Sequence, residues 1–322
     1  MNRRRVLASC ALLFAAPLAK AQRMHRIGFL GAASGAGFAS QIAGLRAGLK
    51  ELGYVEGKTI EIEFRWAEGR LDRLPALATD LVRRGVDVIV TQGTPATRAA
   101  KEATTHIPIV TAAVGDAIAT GLVASLAKPG GNVTGSTFFS SELVAKRIEL
   151  LKSAMPHLRR VGVTFNPDNP IQLDHLSKAL AAAGTRLKVD IDRVAFRSVA
   201  ELEGAIESIA ERRADATVFH EEPMHLVNAQ KLVALAARHR LATAGPLEFV
   251  PASAVFAYGV HFPDLYRRAA FFVDKILRGT KPADIPVEQA SRFEFVINLK
   301  AARAIGLSIP AHLVPRADKV IE

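Results

Sequence analysis

The sequence is poor in cysteine, tryptophan and tyrosine. It holds one cysteine, one tryptophan and three tyrosines in 322 residues. A single cysteine excludes an intramolecular disulfide. With one tryptophan and three tyrosines, little is present on which nucleic-acid bases could stack.

Long hydrophobic runs are also absent. No stretch of 18 or more apolar residues occurs, which excludes a membrane-spanning body. Hydrophobic residues make up 49% and charged residues 23% of the chain, which is ordinary for a folded globular protein and too apolar for a disordered one. At roughly 150 residues for each domain, the length indicates two domains.

The N-terminal residues have the pattern of a secretory signal peptide. Three arginines at positions 3–5 precede the short apolar run Val6–Leu18, and the small-x-small sequence Ala19–Ala21 follows. These are the three parts of a cleavable export signal. We therefore expect cleavage after Ala21, a mature chain that begins at Gln22, and a periplasmic location.

Cys10 lies within this predicted signal peptide, so the mature chain would carry no thiol. The tetrapeptide Leu7–Cys10 matches a lipidation motif. Only four residues separate Cys10 from Arg5, however, and the apolar run continues beyond it, which favours a cleaved signal peptide. The arginines allow either the general or the twin-arginine export route.

The excess of positive charge is dispersed. The formal net charge is +11, and the predicted signal peptide carries four of the positive residues and no acid, which leaves +11 − 4 = +7. Many of the remaining cations occur as pairs in or beside predicted helix ends, where they suit the helix dipole. The pairs are Arg83–Arg84, Arg159–Arg160, Arg212–Arg213 and Arg267–Arg268. This distribution indicates a solvated surface, and we expect no nucleic-acid partner.

Short β-branched runs alternate with segments of helical periodicity over most of the chain. The predicted strands are His25–Ala32, Ile60–Trp66, Asp87–Gly93, Ile107–Val114, Val133–Phe138, Arg160–Asn166, Lys188–Phe196, Asp215–His220 and Ala254–Tyr258. The predicted helices include Phe38–Leu52, Arg70–Arg84, Ser141–Met155, Ile171–Ala183, Val199–Arg213, His225–His239 and Asp264–Arg278. This alternation predicts an α/β protein with parallel sheets and right-handed crossovers.

Two zones rich in proline and glycine divide this pattern, at Lys128–Asn132 and at Gly245–Ser253. They predict two Rossmann-like lobes between which the chain crosses near residues 135 and 255. The expected organisation is a signal peptide at 1–21, an N-terminal lobe from 22–135 plus about 256–285, and a C-terminal lobe from 136–255 plus about 286–322.

The segment Gly31–Gly37 follows a predicted strand, opens a helix and resembles the cofactor loop of short-chain dehydrogenases. Tyr54 and Lys58 even have the Tyr-x-x-x-Lys spacing of those enzymes. Gly53 and Gly57 place this pair in a turn, however, whereas the dehydrogenases carry it on a helix much further along the chain. A nucleotide-like site in an exported enzyme or ligand-sensing protein remains the alternative function.

The segment His220–His225 has the spacing H-E-x-x-x-H. The two histidines would not share a helical face, and Pro223 interrupts the helix that a zinc site of this kind requires. We therefore expect no metal, and we expect Glu221 to serve as a ligand-binding carboxylate at the end of a strand.

Polar residues at the carboxyl ends of the predicted strands are the candidate ligand-binding residues, because open parallel sheets bind ligands at that edge. They are Ser34, Gly35, Gly93, Thr94, Asp116, Asn166 and Glu221. Thr94 is expected to cap a helix with Pro95 at its first position. The sequence contains no nucleophile elbow, P-loop or catalytic triad pattern, so we expect no catalytic residues, no cofactor and no enzymatic activity.

Several segments resemble the exported substrate-binding proteins of ABC importers, whose characterised members include tryptophan and tyrosine binders. The segments are Gly48–Lys58, Glu63–Gly69, Val86–Val90, Lys128–Gly135, Tyr266–Ala270, Val273–Gly279, Val287–Gln289 and Phe293–Leu299. The resemblance runs from about His25 to Glu322. It implies a type I periplasmic-binding fold, in which two lobes joined by a three-stranded hinge close on a small ligand.

The resemblance also implies roles for the candidate residues. Thr94 would receive a ligand carboxylate, Asp116 would face an amine, and Asn166 and Glu221 would close from the second lobe. The expected partners are a small ligand and a permease in the inner membrane, with the receptor itself monomeric. The chain departs from the family pattern at Gly115–Ala117, where the family has Gly-Asp-Pro, and at the usually glycine-rich Val250–Val255. The ligand can therefore differ from an aromatic amino acid.

Overall fold

The computed structural model describes residues 24–168 and 170–322, so the predicted signal peptide and Cys10 lie outside the described residues. In the part of the chain that is described, no helix combines the length and apolar character needed to cross a membrane. Side chains at the start of the fifth helix, at 170–172, are likewise outside the description.

The described residues form two sheets flanked by helices. The strands are β1 (His25–Gly31), β2 (Ile60–Trp66), β3 (Val88–Gln92), β4 (Ile109–Val114), β5 (Val133–Thr137), β6 (Arg160–Phe165), β7 (Asp190–Ala195), β8 (Ala216–Val218), β9 (Ala242–Gly245), β10 (Phe256–Val260), β11 (Glu288–Gln289), β12 (Phe293–Asn298) and β13 (Lys319–Ile321). The helices are α1 (Ala39–Glu51), α2 (Leu74–Arg83), α3 (Gly93–Ala103), α4 (Ser140–Ala154), α5 (Pro170–Leu187), α6 (Leu202–Glu211), α7 (Pro223–Val227), α8 (Ala229–Arg238), α9 (Phe262–Leu277) and α10 (Leu299–Ala304).

The first lobe is built on a parallel sheet with the order β11-β5-β4-β3-β1-β2. Every residue of β3 and β4 is buried, because helices cover both faces of the sheet. This explains why these strands are nearly continuous apolar runs.

The second lobe is built on a seven-stranded sheet with the order β13-β12-β10-β9-β8-β6-β7. Its strands are parallel except where β10 pairs with β12. Helices α4, α5, α6, α8 and α10 pack on this sheet. The two parallel α/β sheets confirm the predicted fold class.

The chain crosses between the sheets at positions that differ from those predicted. Residues 256–260, expected in the N-terminal lobe, form β10 and pair with β9 and β12 in the second sheet. Residues 288–289, expected in the C-terminal lobe, form β11 and pair with β5 in the first. Sequence analysis missed β9, which gives β10 a partner in the second sheet. The second crossover between the lobes therefore follows β10.

Helix α9 returns to the first lobe and packs closely against α1. The close approach requires glycine at position 48, because a Cβ there would overlap the carbonyl oxygen of Arg267 and lie 2.8 Å from Cβ of Ala270. The Tyr54 hydroxyl, just beyond α1, donates to Oδ1 of Asp274 at 3.0 Å. Tertiary packing therefore overrides the weak helix propensity of glycine here.

This packing predicts opposite effects for two glycine-to-alanine substitutions in helices. Gly48→Ala should lower the free energy of unfolding by about 1–3 kcal/mol, because the added methyl overpacks the α1–α9 contact. Gly204→Ala in α6 meets nothing within 4 Å. It should raise the free energy of unfolding by about 0.5–1 kcal/mol through helix propensity alone. Denaturant unfolding of both variants measures this, and equal effects of the same sign would contradict the packing argument.

Candidate functional site

A cleft between the two lobes contains an empty space of about 440 Å³, including its open mouth. The first lobe contributes the start of α3 and the ends of β4 and β5, and the second contributes the segment from Glu221 to Leu226. The cleft is therefore bounded by the carboxyl ends of strands, as open parallel sheets favour.

The start of α3 forms one polar wall of the cleft. Gly93, Thr94 and Pro95 line it, and Thr94 is 5% exposed. The helix begins at Gly93, with a φ of +78°, so Thr94 lies inside the first turn and is not the cap that the sequence predicted. Amide groups in the first turn of a helix lack intrahelical partners, and the helix dipole is positive there. This wall is suited to an anionic group such as a carboxylate.

Glu221 forms the polar wall of the second lobe. It follows β8, and its Oε2 accepts a hydrogen bond from the Ser140 hydroxyl at 2.8 Å. Its Oε1 pairs with Arg147, a side chain with no exposed surface. Both carboxylate oxygens therefore have protein partners, and the charge of Glu221 is balanced within the second lobe.

Aromatic side chains line the cleft between these polar walls. Phe138 and Phe262 pack edge to face with their ring centroids 5.2 Å apart. Phe38 and Tyr266 also line the cleft, and Tyr266 is 1% exposed. Burial raises the pKa of the Tyr266 hydroxyl well above its usual value. Sequence analysis missed these four residues, because helical and strand periodicity does not separate a residue that lines a cleft from one in the core.

Four of the seven predicted ligand-binding residues lie outside the lining of this cleft: Ser34, Gly35, Asp116 and Asn166. Asp116 closes its own turn, with Oδ1 accepting from the amides of Ile118 at 3.0 Å and Ala119 at 2.9 Å. Asn166 does the same through the amide of Asp168 at 3.0 Å. These side chains have the turn-stabilising roles typical of Asp and Asn at strand ends.

Two glycines of the Gly31–Gly37 segment, Gly31 and Gly35, pack against Trp66. A Cβ at Gly31 would overlap the indole ring, and one at Gly35 would lie 2.9 Å from Nε1 of Trp66. The tryptophan occupies the space beside the loop, so close packing accounts for these two glycines without a phosphate group.

Several titratable side chains are buried behind the Glu221 wall. Burial lowers the pKa of His220 to about 4, and neither ring nitrogen has a hydrogen-bond partner. His225 contacts the Thr164 hydroxyl at 2.9 Å, and burial lowers its pKa as well. Burial raises the pKa values of Glu222 and Glu248 to about 8. Within residues 24–168 and 170–322, no group of three or more such side chains could hold a metal ion.

The model of one protein family, ABC transporter substrate binding protein, matches residues 26–321. The chain belongs to this family. The match spans both lobes and the segments between them, which confirms the resemblance drawn from the sequence. The family is one of solute-binding proteins.

Proteins similar to this chain agree with the fold. A tyrosine-binding protein of Clostridioides difficile is 27% identical over 270 residues, which cover 80% of this chain and 74% of that protein. A conserved domain protein from Vibrio cholerae is 26% identical, with a TM-score of 0.86 over 92% of this chain and all of that one. An ABC domain in complex with L-Trp from Streptococcus pneumoniae is 25% identical, with a TM-score of 0.84 over 93% of this chain and all of that one. The architecture is the type I periplasmic-binding fold.

The buried carboxyl of Glu222 predicts a pH-dependent effect of Glu222→Gln. The folded protein holds this carboxyl protonated up to a pKa of about 8, whereas the unfolded chain releases the proton near 4.5. The contribution of this carboxyl to stability therefore falls as pH rises from 4.5 to 8, since the folded state binds the extra proton. Glu222→Gln removes this loss. Between pH 5 and pH 8, its free energy of unfolding should therefore increase relative to that of wild type by on the order of a few kcal/mol.

Denaturant unfolding at the two pH values measures this difference. Glu207→Gln, which replaces an exposed glutamate of α6, is the matched control and should follow the wild-type pH dependence. If Glu222→Gln follows it too, the carboxyl of Glu222 is not held neutral in the folded protein.

Proposed function

We propose that this chain is the exported solute receptor of an ABC importer and that it binds an amino acid with an aromatic or hydrophobic side chain. The observation that carries this proposal is the composition of the cleft. A helix start suited to a carboxylate lies in the first lobe, a buried acid lies in the second, and aromatic rings line the space between them. The tyrosine-binding and L-Trp-bound relatives support the same ligand class.

In this proposal, the ligand carboxylate binds at the start of α3, beside Gly93 and Thr94. The side chain of the ligand lies against Phe38, Phe138 and Tyr266. The ammonium group lies toward Glu221, whose charge Arg147 already balances. Asp116, which closes its own turn, is not needed for this arrangement.

The mechanism is closure of the two lobes about the crossovers that follow β5, β10 and β11. Because the ligand contacts both lobes at once, it stabilises the closed state relative to the open one. The receptor acts as a monomer in the periplasm and delivers its ligand to a permease of the inner membrane. The predicted signal peptide supports export, and the family supports the transport partner.

The proposal predicts that L-tyrosine or L-tryptophan stabilises the mature chain, from Gln22 onward, against thermal unfolding. A ligand at 100 times its dissociation constant should raise the free energy of unfolding by about 2.7 kcal/mol. The corresponding amines, tyramine and tryptamine, lack the carboxylate and should give a smaller shift. Stabilisation by a dinucleotide and by no amino acid would overturn the receptor proposal in favour of a nucleotide site.

The aromatic wall predicts that Phe138→Ala weakens binding of these amino acids by about tenfold or more, through lost apolar contact with the ligand. Phe271→Ala is the matched control, because Phe271 lies on α9 outside the cleft lining and packs against Arg268. Calorimetric titration of both variants measures the two affinities. Equal losses in both would show that Phe138 does not contact the ligand.

A further inference from the structure

Helix α7 of the second lobe lies against three strand-end segments of the first lobe. Each of these segments, which follow β1, β2 and β3, presents a glycine to the helix: Gly37, Gly69 and Gly93, the last being the first residue of α3. A Cβ at Gly69 would lie 3.6 Å from the sulfur of Met224, and one at Gly93 would lie 4.0 Å from Cγ of Pro223. This short helix of the second lobe therefore contacts the first lobe beside the cleft.

Gly37 differs from the other two glycines. Gly69 and Gly93 have φ angles of +79° and +78°, so backbone conformation already favours glycine at both positions. Gly37 is not among the residues with positive φ, and the backbone alone would accept a side chain there. A side chain at position 37 is excluded by contact with the second lobe.

The steric block at Gly37 comes from Val227. A Cβ at position 37 would overlap Cγ1 of Val227, and it would lie 2.8 Å from Cβ and 3.5 Å from Cα of the same residue. Rotation of the valine side chain would move Cγ1 but not Cβ. A methyl group at position 37 would therefore force the backbones of the two lobes apart, because well-packed contacts relieve such overlap only by displacement.

A second contact joins the lobes elsewhere along the cleft. Nε2 of His175, on α5 of the second lobe, lies 3.1 Å from the carbonyl oxygen of Ala119 in the first lobe. The structure thus has the lobes in contact through both α5 and α7. Overlap at Gly37 would therefore displace the two lobes relative to each other in this closed arrangement. It would leave the interior of each lobe unchanged.

We propose that Gly37 and Val227 form the contact that sets how far the lobes close, and that the missing side chain at position 37 is required for tight ligand binding. The inference rests on the proposed function in one respect, namely that the ligand is captured by closure. It also assigns a role to the last glycine of the Gly31–Gly37 segment, which packing against Trp66 does not explain.

The test compares Gly37→Ala, Val227→Gly and the double variant, with L-tyrosine and L-tryptophan as the titrated ligands. Gly37→Ala should weaken binding by about tenfold or more, because overpacking disfavours the closed state. The double variant leaves Cα of Val227 as the nearest neighbouring atom, at 3.5 Å, and should recover most of the affinity. Val227→Gly alone is the control: it removes the contact without adding an overlap, so it should lose much less affinity than Gly37→Ala does.

A ligand-independent measurement separates closure from binding. The mature chain has no cysteine, so spin labels can be attached at Ala76→Cys in the first lobe and Val199→Cys in the second, both exposed positions. The distance distribution of the ligand-free protein should shift toward longer values in Gly37→Ala and return in the double variant.

The outcomes distinguish this inference from the function proposed above. Equal affinities and equal distance distributions for wild type and Gly37→Ala would overturn the closure contact. It would also be overturned if the double variant recovered neither the affinity nor the distance distribution of wild type. If wild type binds neither amino acid while the distances still respond to Gly37→Ala and Val227→Gly, the closure contact stands and the amino-acid assignment fails.

Discussion

Arg147 lies beneath the cleft with no exposed surface, and the wall of the second lobe is assembled around its guanidinium group. Nε donates to the carbonyl of Tyr258 at 2.8 Å, Nη1 donates to the carbonyl of Phe219 at 3.1 Å, and Nη2 pairs with Glu221. A buried charge is tolerated only when it is paired and hydrogen-bonded. Arg147 thereby ties α4 to the end of β8 and to the middle of β10, and a Cβ at Gly259 would lie 3.2 Å from Nη2, closer than an ordinary contact.

The same pairing determines the electrostatics of the proposed ligand site. Glu221 faces the cleft with its charge balanced by Arg147. Burial keeps His220, Glu222 and Glu248 neutral at neutral pH, because it lowers the pKa of the histidine and raises the pKa values of the two glutamates. The second lobe therefore presents little net charge to the cleft. Selectivity in the proposed receptor then comes from the start of α3, which favours an anionic group, and from the shape of the aromatic wall.

The sequence predicts strands where a local pattern determines them, as in β3 and β4, whose apolar runs are covered on both faces. It does not reveal β9, because the four small residues Ala242–Gly245 carry no strand pattern of their own and pair only in the folded sheet. Of the candidate site residues, Gly93, Thr94 and Glu221 line the cleft. Asp116 and Asn166 do not, since local turn hydrogen bonds compete with ligand contact and cannot be seen in sequence spacing.

Helix α7 connects the proposed ligand site to the proposed closure contact. Leu226 lines the cleft, and its neighbour Val227 meets Gly37 on the other lobe, so one helical turn carries both contacts. A ligand that packs on Leu226 holds this turn in the position that brings Val227 against Gly37. Affinity for such a ligand includes the free energy of the lobe contact as well as that of the cleft, because both are present only in the closed state. A glycine that does not itself line the cleft can therefore affect binding as strongly as a residue that does.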